Sequence, residues 1–466
     1  MDQMKTLLIQ PPSVPEWSKH IFAFEPLALE YLGAGLKLDG HSVQIFDARF
    51  DSGIEAAFAQ AQPDVVGFTA FTVHVPWVKR TAERLKAIKS DVFIVVGGHH
   101  ATVRPADFNS PAIDAVVIGE GVFTMREMLA HRQAGRLLDS ILGLALPGKP
   151  QRRTPPRPYT ELDALPLPDR SLTTRYRAHY FGEWLKPLAS IRTSLGCAWR
   201  CNFCALWSIT DGKYLRRRPE AVVEELRTIA EENVFFCDDE SMIDARRMDR
   251  LADLILQAGL KKKYFLYARV DTIVKHPELF AKWREAGLAQ VFVGLESFSD
   301  RRLAGMKKGT TVAQQQQAAK ILHDLGILLY GSLIVEADFT REDFRELAQF
   351  VRKLDLRYAS FAVLTPFPGT ALHAAREKEL LSQRPELFDL LHTVLPTKLP
   401  LPEFYSEFAA LYDRALPLRH KLGGLRRYGL RDSFRILRHT PRIMRGMRNG
   451  YRDHEEQPQP NGRCSQ

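Results

Sequence analysis

Thr193-Ser194-Leu195-Gly196-Cys197-Ala198-Trp199-Arg200-Cys201-Asn202-Phe203-Cys204 carries three of the chain's five cysteines in a C-x3-C-x2-C spacing. Three thiolates that close together on one loop can cap three irons of a cubane cluster and leave the fourth iron without a protein ligand; clusters filled by four cysteines are usually electron carriers. The open iron is where a small molecule can bind and be reduced. A zinc site wants four protein ligands. No second C-x2-C exists here, so the fourth would have to be a distant histidine or Cys237. A disulfide framework fails on counting, because five cysteines in 466 residues are sparse and odd. Cys237 ends the apolar run Val234-Phe235-Phe236-Cys237 and reads as a packed strand residue, while Cys464 lies in a polar tail.

The run Leu188–Thr193 reads as the strand that delivers the cysteine loop. Downstream, strand-like runs end in polar residues: Val234–Cys237 in Asp238-Asp239-Glu240, Tyr264–Ala268 in Arg269, and Gln290–Val293 in Gly294-Leu295-Glu296-Ser297. Ile327–Leu333 and Tyr358–Thr365 follow, with helical stretches such as Pro219–Glu231 and Thr311–Leu325 between strands. The pattern predicts a partial (β/α)6 TIM-type barrel over residues 186–375, with its active site at the strand ends. Phe367-Pro368-Gly369-Thr370 closes this region, as a functional loop or as a simple turn.

Upstream, residues 1–150 hold five short β-like runs: Lys5–Ile9, Ser42–Phe46, Asp64–Thr69, Val92–Gly97 and Ala115–Gly119. Helical periodicity in Leu27–Leu38 and Pro76–Ile88 makes this an α/β, Rossmann-like doubly wound sheet. Its strand ends carry Thr69-Ala70-Phe71-Thr72, Gly97-Gly98-His99-His100-Ala101-Thr102 and Gly119-Glu120-Gly121. Small residues there let backbone amides approach a bulky ligand; the plainer alternative is that the glycines only make turns. A G-x-G-x-x-G fingerprint is absent, which argues against a dinucleotide. Residues 151–185 are proline-rich and read as an extended linker.

Residues 376–466 read as a helical, basic C-terminal region, with helical patterns at Leu387–Leu395, Phe404–Leu416 and Phe434–Met447. The net charge of +10 concentrates there, in Arg419, Lys421, Arg426, Arg427, Arg431, Arg435, Arg438, Arg442, Arg445 and Arg448. Leu425, Tyr428, Phe434, Ile436, Leu437, Ile443 and Met444 interleave with them. Such a surface suits peripheral contact with anionic lipid on the inner face of the cell membrane; a solvated charged face is the equal alternative. No RNA-binding signature accompanies the charge, so no nucleic-acid partner is expected. Residues after Tyr451 read as disordered. No secretory signal or apolar run of membrane-spanning length is visible, which with reduced thiols points to the cytoplasm.

The cysteine spacing, with Phe203 just before the third cysteine, resembles the radical S-adenosylmethionine (SAM) enzymes. The resemblance implies a 4Fe-4S cluster on Cys197, Cys201 and Cys204, with SAM chelated at the open iron and cleaved to a 5′-deoxyadenosyl radical. It also implies roles at the strand ends. Asp239 or Glu240 would meet the SAM amino group, Arg269 its carboxylate through a forked hydrogen bond, and Glu296 its ribose hydroxyls. Surface salt bridges or helix caps are the plainer alternatives.

With the upstream domain included, the chain resembles the cobalamin-dependent radical SAM methyltransferases. Their cofactor loops look like Gly97–Thr102 and Gly119–Gly121 followed by Thr124. The resemblance implies a cobalamin-binding domain whose contacts include Thr69, Thr72, Gly97, Gly98, His100, Gly119, Glu120, Gly121 and Thr124. The D-x-H-x-x-G motif that ligates cobalt in many cobalamin proteins is missing, so the cofactor's own base is expected off the metal. His74, His99 and His100 are candidate ligands, set against ordinary backbone-bonded histidines.

Methyl transfer from methylcobalamin to an unactivated carbon is the implied activity, served by a reductase or a flavodoxin- or ferredoxin-type electron donor. Length, domain order and the basic C-terminal region are most similar to the hopanoid C-3 methylases, which act on a polycyclic lipid. An anaerobic tetrapyrrole ring cyclase of the same class is the enzymatic alternative. A non-catalytic cobalamin or iron–sulfur sensor is the alternative from another class.

Overall fold

Valine, isoleucine and phenylalanine concentrate in Lys5–Gln10, Ser42–Asp47, Val65–Thr69, Phe93–Gly97 and Ala115–Val117, the residues that suit a buried parallel sheet. In the computed structural model, which describes residues 3–417, 433 and 438–455, these five strands pair in parallel. Ser42–Asp47 lies at one edge, followed by Lys5–Gln10, Val65–Thr69, Phe93–Gly97 and Ala115–Val117. Two short antiparallel strands, Leu144–Leu146 and Arg152–Arg153, extend the other edge. The sheet therefore continues past residue 150 into the segment read as linker, because Ala145 and Leu146 pair with Arg153 and Arg152. Helices cover both faces, each with its own buried cluster, one around Phe58, Val78 and Phe108 and the other around Leu29, Met125 and Leu144.

A second sheet of six parallel strands runs in chain order: Leu188–Ile191, Asn233–Phe236, Lys263–Ala268, Leu288–Glu296, Leu328–Val335 and Tyr358–Val363. This is the partial, open barrel. Side chains alternate along it. Val234, Phe236, Leu266, Val291 and Val293 join the large cluster under the outer helices, and each such buried residue contributes about 1.5–3 kcal/mol. Phe235, Phe265, Tyr267 and Phe292 form a separate cluster on the opposite, inner face. There an aromatic ladder runs across the strands, with centroid separations of 4.8 Å for Phe235–Phe265, 4.8 Å for Tyr267–Phe292 and 5.1 Å for Phe292–Tyr330.

The proline-rich segment is not merely extended. It carries the 3-10 helix Arg170–His179, whose arginines reach both halves of the molecule. Arg177 pairs with Glu25 and Glu231, Arg170 Nη2 donates to Glu225 Oε1 at 2.7 Å, and Thr173 Oγ1 donates to Glu30 Oε1 at 2.5 Å. Glu25, Glu30 and Glu225 are buried. Burial, and then Glu25, push the Glu30 carboxyl up to about 8. A buried ionic network contributes little net stability but penalises any misaligned docking of the parts it joins.

The C-terminal region departs from expectation in two places. Leu387–Leu395 is irregular rather than helical. Pro385 and Pro396 flank it, and the Asp389 side chain accepts from the amides of Leu391 and His392, offering the backbone a non-helical partner. Residues 452–455 are ordered: Asp453 pairs with His392 Nε2 at 2.9 Å, and Tyr405 Oη meets His454 Nε2 at 3.0 Å. The helix Leu401–Ala415 matches its pattern. Of the basic stretch, Arg438, Arg442, Arg445 and Arg448 are exposed, while Ile443, Met444, Met447 and Tyr451 pack onto the barrel's outer core. That apolar stripe is therefore used within the protein. Arg419, Lys421, Leu425, Arg426, Arg427, Tyr428, Arg431, Phe434, Arg435, Ile436, Leu437 and Cys464 lie outside the described residues. Among the described residues no helix is long and apolar enough to cross a membrane.

Candidate active site

The cysteine loop is fixed before its first cysteine. Thr193 N and Ser194 N donate to Asp238 Oδ1 at 2.7 and 2.8 Å, and Thr193 Oγ1 donates to Asp238 Oδ2 at 2.5 Å. Gly196 N donates to Asp239 Oδ2 at 2.7 Å. Gly196 has φ +98°, and a Cβ there would stand 1.8 Å from the Lys213 carbonyl oxygen, so only glycine fits. Asp238 and Asp239 thus hold loop backbone. Of the two acids expected near an amino group, Asp239 uses one oxygen on the loop, and its neighbour is more deeply buried.

That neighbour, Glu240, is 1% exposed. Its Oε1 accepts the Arg269 amide at 3.3 Å, and its Oε2 has no hydrogen-bond partner among the described residues. Burial pushes this carboxyl up to about 8, with Arg269 only partly offsetting it. A buried carboxylate oxygen without a donor is costly unless a ligand supplies one, and a ligand ammonium fits.

Arg269 follows the strand Lys263–Ala268. Its guanidinium donates to Asp271 Oδ1 at 2.9 Å and to the Lys308 carbonyl at 2.7 Å, lies 4.4 Å from the Trp199 ring, and reaches Cys201 Sγ at 4.0 Å. Two of its nitrogens are thus held by protein, and Nη1 faces the cysteine loop. Glu296 ends the strand Leu288–Glu296 with φ +65°, a left-handed conformation uncommon for a non-glycine residue. Its Oε1 accepts Lys308 Nζ at 2.6 Å. Lys308 and Trp199 were not foreseen as site residues; neither sits in a pattern that marks it.

Cys197, Cys201 and Cys204 are half-buried free thiols. Burial raises the thiols of Cys197 and Cys204, the latter to about 11, so thiolates here need a metal's charge. Among the described residues no three His, Cys, Asp or Glu side chains converge on a single-ion site. Phe203 packs with Met306, Ile334 and Leu364. Thr370 caps the helix Ala371–Arg376, and Leu372 N donates to the Asn202 carbonyl at 2.9 Å, so the Phe367–Thr370 segment braces the loop.

Above the parallel sheet an open cavity of about 200 Å³ runs from the strands to the barrel. Leu8, Leu29, Gly67, Val95, Val117 and Met125 wall its apolar part. Thr69, Gly97, Gly98, Gly119, Glu120 and Gly121 line its rim, and Arg192, Leu195, Ile209 and Leu215 approach from the barrel side. Gly98 has φ +100°, and a Cβ there would stand 2.7 Å from Ala70 N. Thr102 Oγ1 ties the two glycine loops, accepting from Gly119 N at 3.1 Å and donating to Gly98 O at 3.0 Å. An apolar shaft under a glycine rim fits a corrinoid, which Thr69, Gly97, Gly98, Gly119 and Gly121 would border.

Three expected cofactor residues do not reach this cavity. Thr72 Oγ1 and His100 Nδ1 lie 3.0 Å apart, and His100 Nε2 meets Asp107 at 2.8 Å. Thr124 Oγ1 donates to the Glu120 carbonyl and accepts from Arg157. They support the loops from behind. Glu120 itself accepts from Val122 N and Phe123 N, capping the helix Val122–Gln133. His74 Nδ1 accepts the Phe71 amide. His99 borders the cavity.

The glycine-rimmed cavity is walled on the barrel side by Arg192 and Leu195, which lead directly into the cysteine loop. Residues 22–129 match the B12 binding domain and residues 191–351 the Radical SAM superfamily. The hopanoid C-3 methylase of Methylococcus capsulatus is 32% identical over 405 residues, 85% of this chain and 77% of that protein. An uncharacterized methyltransferase of Pyrococcus horikoshii is 34% identical over 387 residues, 80% of this chain and 83% of that protein. The fold is shared with the radical SAM methyltransferase TsrM of Kitasatospora setae, solved with cobalamin and a 4Fe-4S cluster, at TM-score 0.72 and 20% identity over 97% of this chain and all of that one. The chain belongs to the cobalamin-dependent radical SAM methyltransferases. It is an enzyme that uses a 4Fe-4S cluster, SAM and cobalamin to methylate a carbon of a small molecule.

Proposed function

We propose that this enzyme methylates a polycyclic lipid, C-3 of a hopanoid. The observation that carries the reading is the 32% identity to a hopanoid C-3 methylase across 85% of the chain. The half-buried end of the barrel's inner aromatic ladder, Tyr267, Phe292 and Tyr330, supports it, since apolar rings can pack against it. Residues 1–150 would hold cobalamin through the glycine rim and the apolar shaft. Residues 186–375 would hold the cluster on Cys197, Cys201 and Cys204, and SAM between Glu240, Arg269 and Glu296. When bound, these groups supply the methyl donor and the hydrogen-abstracting radical. The chain's own residues keep the site dry and hold the ammonium, carboxylate and ribose of SAM in place.

A cytoplasmic protein that draws electrons from a flavodoxin- or ferredoxin-type donor fits this chemistry. Arg438, Arg442, Arg445 and Arg448 form an exposed basic face through which it would touch anionic lipid while collecting its substrate. The test is a mass comparison of lipid extracts from a deletion strain and its parent, and of hopanoid incubated with the reduced, reconstituted protein. The reading expects a hopanoid heavier by one methylene that vanishes on deletion. Unchanged hopanoids with an altered tetrapyrrole profile would instead favour a ring cyclase.

A further inference from the structure

Between the helices Asp300–Gly305 and Val312–Asp324 the chain makes a tight turn. Lys307 and Gly309 both have left-handed backbone, φ +54° and +73°. Lys308, between them, is only 6% exposed, and lysines are almost never buried unless paired. Its ammonium donates to Glu296 Oε1 at 2.6 Å, and its carbonyl accepts Arg269 Nη2 at 2.7 Å. The same turn receives the cysteine loop. Asn202 Nδ2 donates to the Gly305 carbonyl at 2.9 Å, and Asn202 N donates to the Met306 carbonyl at 3.2 Å. The cysteine loop and two strand ends, remote from one another in sequence, thus converge on one short segment.

Glu296 needs such support. Its left-handed backbone coincides with a register shift between Gly294 and Glu296, and strain of this kind persists only where the surroundings over-determine it. A Cβ on Gly294 would stand 2.3 Å from Glu296 Oε1 and 2.7 Å from Lys308 Nζ, so glycine there leaves room for the ion pair. Lys308 engages Oε1 and leaves Oε2 for a ligand's hydroxyls.

We propose that Lys308 is a positioning residue of the SAM pocket: its side chain sets the Glu296 carboxylate, and its backbone sets the Arg269 guanidinium. This rests on the reading that Glu296 and Arg269 face SAM. Removing the ammonium leaves Glu296 buried without its partner and free to turn away, so SAM binding weakens while the cluster stays.

The test uses the full-length, anaerobically reconstituted chain with SAM as probe. Iron and sulfide content, the change in the reduced cluster's paramagnetic spectrum as SAM is added, and KM and kcat for 5′-deoxyadenosine formation are measured for Lys308→Met, Lys308→Arg and Glu296→Gln. Lys308→Met is expected to keep its iron and sulfide. Its SAM midpoint and KM should rise about tenfold, with a smaller change in kcat. Lys308→Arg should recover part of the loss. Unchanged SAM dependence in Lys308→Met, alongside a weakened Glu296→Gln, would overturn the proposal alone. Unchanged SAM dependence in Glu296→Gln would overturn the pocket assignment beneath it. Loss of iron in Lys308→Met, with Lys308→Arg regaining both its iron and an unchanged SAM dependence, would make Lys308 a folding residue and also overturn the proposal.

Discussion

The cavity beneath Gly97–Gly98 and Gly119–Gly121 is walled by leucine, valine, methionine and glycine, whereas the barrel mouth buries Glu240, Arg269, Glu296 and Lys308 close together. The first region is built from space and backbone. Its polar side chains, Thr72, His100, Thr102 and Thr124, bond to one another and to the loops. The second is built from charge, and it leaves Oε2 of the buried Glu240 carboxyl without a hydrogen-bond partner among the described residues. A large cofactor that stays bound can be selected by shape and apolar area. A small zwitterion that is exchanged at each turnover needs fixed, oppositely charged partners.

The largest effect should come from the cluster. Cys201→Ala is expected to abolish 5′-deoxyadenosine formation while cobalamin still binds, read by product chromatography and by the corrinoid absorbance of the purified protein. Retained SAM cleavage without iron would break the division between the two regions. Gly98→Ala should do the reverse. Its Cβ meets Ala70 N at 2.7 Å on a left-handed backbone, so cobalamin affinity should fall about tenfold or more with iron content unchanged. Equilibrium dialysis against cobalamin decides it.

The shaft sharpens the same contrast. Leu8, Leu29, Val95 and Val117 line the cavity, and the D-x-H-x-x-G motif is missing; if the cofactor's base enters among them, the bound cob(II) form should show no nitrogen splitting from that base in its paramagnetic spectrum. Labelling the base with 15N and finding that the spectrum responds would contradict it.

The smallest effect concerns protons. In the ligand-free chain Glu240 keeps its proton up to about 8, against 4.5 ordinarily, because it is buried. Between those values the folded state binds a proton that the unfolded chain has released. Stability therefore falls as pH rises through that window. Glu240→Gln should flatten this decline, changing the melting temperature near pH 8 relative to pH 5 by about 2 °C. Glu30, raised to about 8 by the same cause, keeps part of the slope. An unaltered slope in Glu240→Gln would mean that the site does not hold its carboxyl neutral.

Strands, partial barrel and cysteine loop were legible because each is written locally. Short apolar runs mark strands, and C-x3-C-x2-C marks three ligands on one loop. At strand ends the residue type was legible but the job was not. Asp239 and Glu240 are adjacent, yet one holds the Gly196 amide and the other is left with an open oxygen. Thr72 and His100 sit in the expected motifs but bond to each other behind the cavity. Leu387–Leu395 has helical spacing of apolar residues, but its prolines and the Asp389 cap decide otherwise.

From the amino-acid order alone came the two cofactor-binding units, their succession along the chain, and the three thiolates, since these depend on spacing within a dozen residues. Tertiary structure alone decided which charges are buried together. Glu25 meets Arg177, Lys308 meets Glu296 and Arg269, and Asn202 meets Gly305. These partners come from separate elements, and only chain folding sets the distance and dielectric that give such pairs their strength.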